Sequence, residues 1–412
     1  MHDMKDSGVE WIGEIPAHWS PIRFRFIAKI TTGNQDTQNA DPDGEYPFYV
    51  RSPIVERCNN YTFDGKGILM AGDGAGAGRV FHLVDGKYAV HQRVYRFYDF
   101  KYMDPVLLKY YLENLFATVM DYGSAKTTVP SVRLPMIQDF VVCVPPKKEQ
   151  DNIVAVLNEK CDQVGSLISN VQAQIEKLKA YKQSLITEVV TKGLDPTVPM
   201  KDSGFEWIGE IPAHWEITRK LAFVTTEGIS YGIVKLFDPD DVNGVKVLRC
   251  SDVLEGWIKP DNIRTVMQEV SNEYARTILS GGEVVVNVRG SLGGCAVVPK
   301  TMAGYNIARE VAKIVLNDSM CNRYVMYYLL SRCFVEYRTS RLSGSVYVGL
   351  NIELLSSCPL PNPDLAEQTA IADYLDEKCS QIDRLIAIKQ AKIEKLEQYK
   401  RSLIYEYVTG KK

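Results

Sequence analysis

The sequence lacks the short motifs that mark several classes of enzyme. It contains no Gly-Lys-Ser or Gly-Lys-Thr, which excludes a P-loop and an ATP-driven motor in this chain. It has no Asn/Asp-Pro-Pro-aromatic tetrad, and the segment Val144-Pro-Pro-Lys147 supplies only the prolines, which argues against methylation of amino groups by the chain itself. It has no His-Glu-x-x-His, and its five histidines show no metal-ligand spacing. We find no catalytic constellation.

Closely spaced cysteines and long apolar runs are also missing. The nine cysteines form no Cys-x-x-Cys pair, which favours reduced thiols over disulfides or structural zinc. No apolar run approaches the length of a membrane span. The first residues are polar, so we expect no signal peptide, no membrane association and a cytoplasmic location.

Strong charge of either sign is absent as well. The formal net charge is −3. Residues 20–146 contain 14 Lys and Arg against 13 Asp and Glu, and residues 216–364 contain 16 of each class. If a nucleic acid is the ligand, local clusters of cations or a partner subunit must neutralise its phosphates.

What the sequence does contain is an internal repeat of a helical segment. Residues 149–192 and 367–410 agree at 24 of 44 positions. Neither segment contains proline, and Val164, Ile168, Val171, Ile175 and Leu178 are spaced by 4, 3, 4 and 3 residues, as in a coiled-coil seam. Each helix would be roughly 65 Å long at a rise of about 1.5 Å per residue. Such a helix needs a partner for its apolar stripe, so we predict that the two copies pair antiparallel. Cys161 and its equivalent Cys379 are interpreted as small buried seam residues.

A second repeat precedes each variable block. Residues 4–19 return as residues 200–215 and differ only at Val9, which is replaced by Phe205. We call these two segments the leaders and expect both to pack on the repeated helices. The order leader, block, helix therefore occurs twice, and the second helix should lead back to the first leader. The blocks between the copied parts, residues 20–146 and 216–364, show little identity.

Both blocks show mixed helix and strand patterns. In the first, strand-like runs cover residues 23–30, 67–70, 79–84, 88–97 and 140–144, and a helix is predicted over 105–119. In the second, strands are predicted over 245–250, 283–288, 295–299 and 310–316, with a helix over 322–337. Gly72–Gly78 forms a glycine turn between two strands, and a strand rather than a helix follows it, which disfavours a dinucleotide site. In the second block, residues 289–294 take the place of this glycine turn. The hydroxyl-rich loop at 122–133 of the first block has its counterpart at 341–347 of the second. The segment 238–241 is interpreted as a turn rather than a nuclease cluster.

The whole pattern resembles the specificity subunit of type I restriction–modification enzymes. The resemblance rests on the leader Gly8-Val-Glu-Trp-Ile-Gly-Glu-Ile-Pro-Ala-His-Trp19, and on the Glu-Gln pairs 149–150 and 367–368, each placed between a proline-rich stop and a long helix. It covers essentially the whole chain.

This resemblance implies an α+β fold with two mixed α/β target-recognition domains, separated by two long antiparallel coiled-coil helices in an internal pseudo-two-fold repeat. The implied domains are 1–147 and 195–364 for target recognition, and 148–194 and 365–412 for the spacer helices. Each recognition domain would read one half of a bipartite, asymmetric site on double-stranded DNA. The helices would set the spacing between half-sites, which lie about 34 Å apart when one turn of B-DNA separates them.

The resemblance also implies partners and cofactors. Two modification (methyltransferase) subunits would dock on the helices, and restriction/translocase subunits would join them. S-adenosylmethionine, ATP and Mg would be bound by those partners and none by this chain, which would be a non-catalytic subunit.

Base reading requires hydrogen-bonding side chains that reach the groove edges. By their position near the glycine turns and hydroxyl-rich loops, the candidates in the first block are Arg79, His91, Gln92, Arg93, Lys126, Thr127, Thr128 and Arg133. Those in the second block are Arg289, Ser291, Asn306, Arg309, Ser343, Ser345 and Tyr347.

Two alternatives remain open from the sequence. A non-enzymatic coiled-coil scaffold whose two domains bind proteins or other ligands would explain the helices. A nucleotide-binding enzyme would use the first glycine turn. Sequence-selective DNA binding that weakens with salt would distinguish DNA recognition from the scaffold. Failure of the purified chain to bind any nucleotide would exclude the enzyme.

Overall fold

The computed structural model describes residues 3–123, 130–234, 244–342 and 349–412. The chain divides into two compact units, of which the first contains Met1–Gln172 and Gln390–Lys412 and the second contains Ala173–Lys389. Each unit therefore contains one variable block and a part of each long helix. Within the described ranges, no helix is both long and apolar enough to cross a membrane.

The first unit contains two four-stranded sheets. One consists of Lys29–Thr32, Val94–Tyr98, Gly67–Ala71 and Phe81–Val84 in that order, and the other of Glu56–Cys58, Tyr46–Tyr49, Lys87–Val90 and Phe63–Asp64. Short pairs join Met4–Asp6 to Glu14–Pro16 and Ser20–Arg23 to Val141–Val144. The helices are Pro105–Gly123 and Leu134–Gln138, with 3₁₀ turns at Phe24–Phe26 and Thr37–Asn39. Apolar side chains of Pro105–Gly123 share a core with the first sheet, which we call the helix-backed sheet.

The second unit repeats this plan. Its helix-backed sheet has the order Ser230–Tyr231, Val311–Ile314, Val284–Asn287 and Cys295–Val297, and its second sheet has the order Arg264–Val266, Val245–Leu248 and Asn306–Ile307. The pairs are Met200–Asp202 with Glu210–Pro212 and Glu216–Thr218 with Leu360–Asn362. The helices are Gln268–Glu273, Asn322–Leu330, Arg332–Leu342 and Ile352–Ser356, and the 3₁₀ turns are Leu221–Val224, Ala275–Thr277 and Lys300–Met302. The helix-backed sheets of the two blocks thus share a strand order despite their different sequences, whereas the second sheets have four and three strands among the described residues.

Three sequence predictions need correction in detail. The strand predicted over 23–30 is interrupted by the turn Phe24–Phe26, because Ile27 donates its backbone N–H back to the carbonyl of Phe24. The strand predicted over 88–97 is two strands with a turn at His91–Arg93 between them. The helix predicted over 322–337 breaks at Ser331, whose hydroxyl accepts a hydrogen bond from the N–H of Phe334 and caps a new helix.

The predicted long helices extend over Lys147–Lys192 and Leu365–Val408. In the second unit, Lys182 Nζ lies 2.7 Å from Asp383 Oδ2, and Lys389 Nζ lies 2.6 Å from Gln174 Oε1. Residue numbers rise along one helix as they fall along the other, so the pair is antiparallel as predicted. Lys389, which replaces an apolar residue in the stripe, is accommodated by this bond.

The two seam cysteines are buried, at 5% exposure each. Burial raises the pKa of the Cys379 thiol to about 11 and also raises the pKa of Cys161. Both thiols are therefore protonated near neutral pH, which agrees with the predicted role in packing rather than in redox chemistry.

The Glu-Gln pairs connect each leader and block to the start of a long helix through hydrogen bonds. Glu149 accepts a hydrogen bond of 3.1 Å from the indole of Trp19, and Glu367 accepts one of 2.9 Å from the indole of Trp215. The adjacent Gln150 bonds to backbone groups on both sides of the junction, including the N–H of Asp104 at 2.7 Å and the carbonyl of Pro145 at 2.8 Å. The leaders therefore pack on the repeated helices, as the sequence predicts.

The end of the second helix lies against the first leader. Lys411 Nζ donates to the carbonyl of Ile12 at 3.0 Å, and a Cβ placed on Gly410 would lie 2.3 Å from Pro16 Cδ. Gly193 takes the equivalent place beside Trp215. Both glycines have the positive φ typical of a helix C-terminal cap, 76° for Gly193 and 69° for Gly410. The prediction that the second helix leads back to the first leader is confirmed.

We expect Gln368→Ala to destabilise the chain strongly. Gln368 is fully buried; its Oε1 accepts from the N–H of Cys321 at 2.8 Å, and its Nε2 donates to the carbonyl of Pro363 at 2.9 Å. Losing both partners leaves buried backbone groups unsatisfied, at a cost of about 3 kcal/mol. Gln381→Ala on the same helix is the control, because that side chain is exposed and bonds to Glu377 one turn earlier. Urea unfolding of the full chain should separate the two variants, and equal midpoints would contradict this role.

Candidate nucleic-acid interface

Three loops of the first unit meet at one end of its helix-backed sheet. We call the set of Gly72–Ala77, His91–Arg93 and Pro130–Arg133 the first edge. The N–H of Gly72 donates to the carbonyl of Arg93 at 2.8 Å, and the N–H of Val132 donates to the carbonyl of Gly72 at 2.8 Å. Gly74, with φ of 75°, donates its N–H to the carbonyl of Pro130 at 3.0 Å. The glycine turn thus joins the other two loops through its backbone.

The side chains of the first edge form a polar cluster. Asp73 lies between two guanidinium groups, 3.0 Å from Arg51 Nη1 and 3.8 Å from Arg93 Nε. The Arg93 side chain remains 66% exposed. Gln92 is also exposed, and its Nε2 donates to Asp36 Oδ2 at 2.7 Å. An arginine and an amide held side by side on a surface loop offer the donors and acceptors that read base edges.

The second unit has the same backbone arrangement. We call Val288–Gly294, Ala308–Glu310 and Gly349–Leu350 the second edge. The N–H of Val288 donates to the carbonyl of Glu310 at 2.8 Å, and the N–H of Leu350 donates to the carbonyl of Val288 at 2.8 Å. These bonds match those of Gly72 in the first edge. Gly290 has φ of 75°, the same value as Gly74.

The side chains of the second edge differ from those of the first. Arg309 occupies the place of Gln92. The backbone N–H of Arg309 donates to the carbonyl of Ile233 at 2.9 Å, just as the N–H of Gln92 donates to the carbonyl of Gln35 at 2.8 Å. The Arg289 guanidinium lies 5.7 Å from the centroid of the Tyr231 ring. Both arginines are exposed. One backbone scaffold therefore presents two different sets of side chains.

Two sequence candidates are buried and have structural roles instead. Asn306 is 0% exposed; its Oδ1 accepts from the Thr277 hydroxyl at 2.7 Å, and its Nδ2 donates to the Ser271 hydroxyl at 3.0 Å. His91 is 4% exposed, and its Nδ1 accepts from the N–H of Arg93 at 3.0 Å. Burial and the charge of Arg51 lower the pKa of His91, which keeps the ring neutral and able to accept that bond. Neither side chain is therefore exposed to read bases.

The remaining candidates divide by location. Arg79, Arg133 and Ser291 are exposed: Arg79 follows the glycine turn, Arg133 precedes the helix Leu134–Gln138, and Ser291 belongs to the second edge. The other candidates lie outside the described residues: Lys126, Thr127, Thr128, Ser343, Ser345 and Tyr347. So does the segment 238–241.

Sequence patterns missed Asp73 of the first edge and Arg51, which forms an ion pair with it. Arg51 follows the strand Tyr46–Tyr49, far from both predicted loops in sequence. It reaches the edge because that strand pairs in parallel with Lys87–Val90, which leads into the turn at His91. No local pattern reports such a pairing.

Neither edge resembles a nucleotide or metal site. The glycine turn is followed by the strand Phe81–Val84, and a phosphate site of the dinucleotide type needs a helix N-terminus there. Among the residues that the structure describes, no group of three or more His, Cys, Asp or Glu side chains could hold a metal ion.

Comparison with known proteins gives consistent results. The chain is 26% identical over 415 residues to the type I restriction enzyme MjaVIII specificity subunit of Methanocaldococcus jannaschii, covering 96% of this chain and 93% of the relative. It is 22% identical to the EcoDI specificity subunit of Escherichia coli, covering 90% of this chain and 84% of the relative. A solved chain from work on complex assembly and conformational transition of the type I R-M system superposes with a TM-score of 0.65 at 18% identity, over 96% of this chain and 99% of that one. It shares the fold.

A family model is matched twice. The type I restriction modification DNA specificity domain covers residues 16–177 and 216–398, so each copy includes one block and most of the helix that follows. The chain therefore belongs to the family of type I restriction–modification DNA specificity subunits.

Proposed function

We propose that each block reads one half of a bipartite, asymmetric DNA site through its edge, and that the long helices set the spacing between the halves. The division into recognition domains at 1–147 and 195–364 and spacer helices at 148–194 and 365–412 is part of this proposal. The observation that carries it is the pair of edges, which share backbone hydrogen bonds and differ in side chains. One framework with two sets of donors suits a site whose halves differ in sequence. The family match gives no support to the scaffold alternative.

The candidate base readers are Arg79, Gln92, Arg93 and Arg133 in the first block and Arg289, Ser291 and Arg309 in the second. To these we add Arg51, which shares Asp73 with Arg93. Lys126, Thr127, Thr128, Ser343, Ser345 and Tyr347 stay candidates from their place in the sequence.

We propose two modification subunits as partners, because the long helices carry a repeated stripe of side chains. All of them are exposed except Lys378 and Glu406, which are half-buried. The docking stripe comprises residues 160, 163, 167, 170, 174, 177, 181, 184 and 188, and their equivalents 218 positions later. Its spacings of 3 and 4 residues keep it on one face of a helix. Seven of these nine positions are identical between the helices, against four of the ten other exposed positions between 158 and 188.

The identical positions of the docking stripe are divided equally between the two units. The first unit contains Lys160, Gln163, Leu167, Lys395, Tyr399, Ser402 and Glu406, and the second contains Lys378, Gln381, Leu385, Lys177, Tyr181, Ser184 and Glu188. The leucines are 49% and 48% exposed, and Tyr399 and Tyr181 are 52% and 59% exposed. Each unit thus presents the same set of seven side chains, as two copies of one partner would require.

We infer that the chain is not itself catalytic. The proposed modification subunits would bind S-adenosylmethionine and methylate adenine, and restriction/translocase subunits with ATP and Mg would join the same assembly. The missing P-loop and amino-methylase motifs support this division of labour.

The test is to co-express the chain with its modification subunit and map methylated adenines across a host genome. We expect one bipartite motif, and exchange of residues 216–364 for those of a relative should change one half of it and leave the other half unchanged. The unexchanged complex is the control for motif and spacing. Changes in both halves, or no sequence preference, would contradict the assignment of one block to one half-site.

A further inference from the structure

Each block carries an exposed phenylalanine at the same structural position. Phe26 is 60% exposed and Phe223 is 67% exposed. They lie in the 3₁₀ turns Phe24–Phe26 and Leu221–Val224. A single exposed apolar residue is ordinary, but retention of the same one in two blocks of little sequence identity needs a reason.

Backbone bonds show that the two turns are equivalent. The N–H of Phe24 donates to the carbonyl of Phe140 at 2.8 Å, and the N–H of Leu221 donates to the carbonyl of Cys358 at 2.8 Å. Phe140 and Cys358 are 218 positions apart, which is the offset of the repeated helices. Phe26 and Phe223 both lie two residues after the donor.

Both phenylalanines lie at the end of the block that faces away from its edge. In the first helix-backed sheet, Ala71 and Val94 pair beside the first edge, whereas Lys29 and Tyr98 pair at the opposite end. Phe26 precedes Lys29 by three residues and therefore belongs to that opposite end. In the second unit, Ile233 lies at the second edge and Thr225 pairs with Leu316 at the other end of the sheet, directly after the turn that holds Phe223.

The same end of each block joins the start of a long helix. In the first unit, the N–H of Lys101 donates to the carbonyl of Ile27 at 2.7 Å, and the neighbouring carbonyl of Tyr102 accepts from Gln150 at 2.7 Å. In the second, the N–H of Asn317 donates to the carbonyl of Val224 at 2.9 Å, and Gln368 donates to the carbonyl of Ser319 at 3.2 Å. In each block, one backbone hydrogen bond and one glutamine side-chain hydrogen bond thus connect the turn that holds the phenylalanine to the helix on which we propose that a partner docks.

The charges around Phe26 are partly neutralised. Arg23 Nη1 lies 3.3 Å from Asp139 Oδ1, and Arg25 pairs with the same carboxylate. This carboxylate offsets one of the two positive charges, which weakens the surface as a contact for a DNA backbone. An exposed aromatic ring beside arginine is instead the composition of protein–protein contact centres.

We propose that Phe26 and Phe223 anchor two further contacts with the modification subunits, one ring in an apolar pocket of each copy. This inference rests on the proposed function. Its reason is symmetry: the half-site bases differ between the blocks, so a feature common to both blocks must meet something that is the same on both sides. The partner that the docking stripe indicates is present twice, and the phenylalanines lie at the helix end of both blocks.

The experiment measures binding of the purified modification subunit to the full chain by calorimetry, with stoichiometry from native mass spectrometry. We expect Phe26→Ala and Phe223→Ala each to weaken one of two binding events by roughly tenfold to a hundredfold, and the double variant to weaken both. Phe26→Leu and Phe223→Leu, which keep an apolar side chain, should recover most of the affinity. Ile54→Ala and Met267→Ala are controls, because these exposed apolar residues, 72% and 44%, lie outside the 3₁₀ turns.

Three results would overturn the inference. Unchanged partner binding in the double variant, with methylation of a bipartite site intact, would remove the anchors and leave the proposed function standing. Unchanged partner binding with weaker DNA binding would assign the rings to DNA. Failure of the unsubstituted chain to bind the modification subunit would instead refute the proposed function, and the inference with it.

Discussion

Substitution of Gln92 and Arg93 by alanine should abolish recognition of one half-site and leave the other half-site readable. Both side chains are exposed on the turn that the first glycine loop supports. Each well-placed base contact contributes about 1–3 kcal/mol of discrimination, so the double variant should lose on the order of a hundredfold to a thousandfold in preference for its cognate half-site. Competition binding between the cognate site and a site altered in one half would measure this loss.

Lys66→Ala is the matched control for the loss of a cation. Lys66 is exposed and precedes Gly67, at the end of the helix-backed sheet opposite the first edge. Its removal should leave half-site preference unchanged. The contradicting result would be that the Gln92/Arg93 variant, like Lys66→Ala, weakens binding to the cognate site and to the altered site by the same factor. The first edge would then contact only the phosphate backbone, and its role in sequence reading would be refuted.

Substitution of Leu385 and Tyr181 by serine should remove one of the two modification subunits. The two residues lie at the same level of the helix pair, because Lys182 and Asp383 next to them form an ion pair of 2.7 Å. Loss of two apolar anchors should weaken one binding event by about a hundredfold. The equivalent pair in the first unit, Leu167 and Tyr399, should control the other event. Native mass spectrometry would then report one partner for either double variant and none for all four substitutions.

Ile388→Ser provides the control for surface hydrophobicity. Ile388 is 66% exposed on the same helix and the same stripe, but its equivalent in the first helix is Asn170. Within the docking stripe, a position that differs between the repeats should contribute little to the affinity for a partner that binds both. If Ile388→Ser removes a partner as effectively as the Leu385 and Tyr181 variant, identity between the repeats does not mark the docking surface.

The candidate site is only partly predictable from sequence. Nearness to the glycine turns and hydroxyl-rich loops predicts Arg93, Gln92, Arg289 and Arg309, and the structure places all four on the two edges. The same criterion predicts His91 and Asn306, which are buried, because position near a loop does not report which way a side chain points. Arg51 was missed since a parallel strand pairing, not local sequence, brings it to Asp73.

By itself the sequence determined the duplication, the two long helices, the packing of leaders on helix ends and the family. The first three follow from local periodicity and from identity between copies, which need no knowledge of distant contacts. The family follows from the resemblance of the leader and of the Glu-Gln pairs. The tertiary structure alone decided which loops meet, because the edges are held by backbone bonds between segments with little identity, such as Gly72 with Arg93 and Val288 with Glu310. Backbone hydrogen bonds tolerate almost any side chain, so two diverged blocks keep one framework while their exposed residues differ.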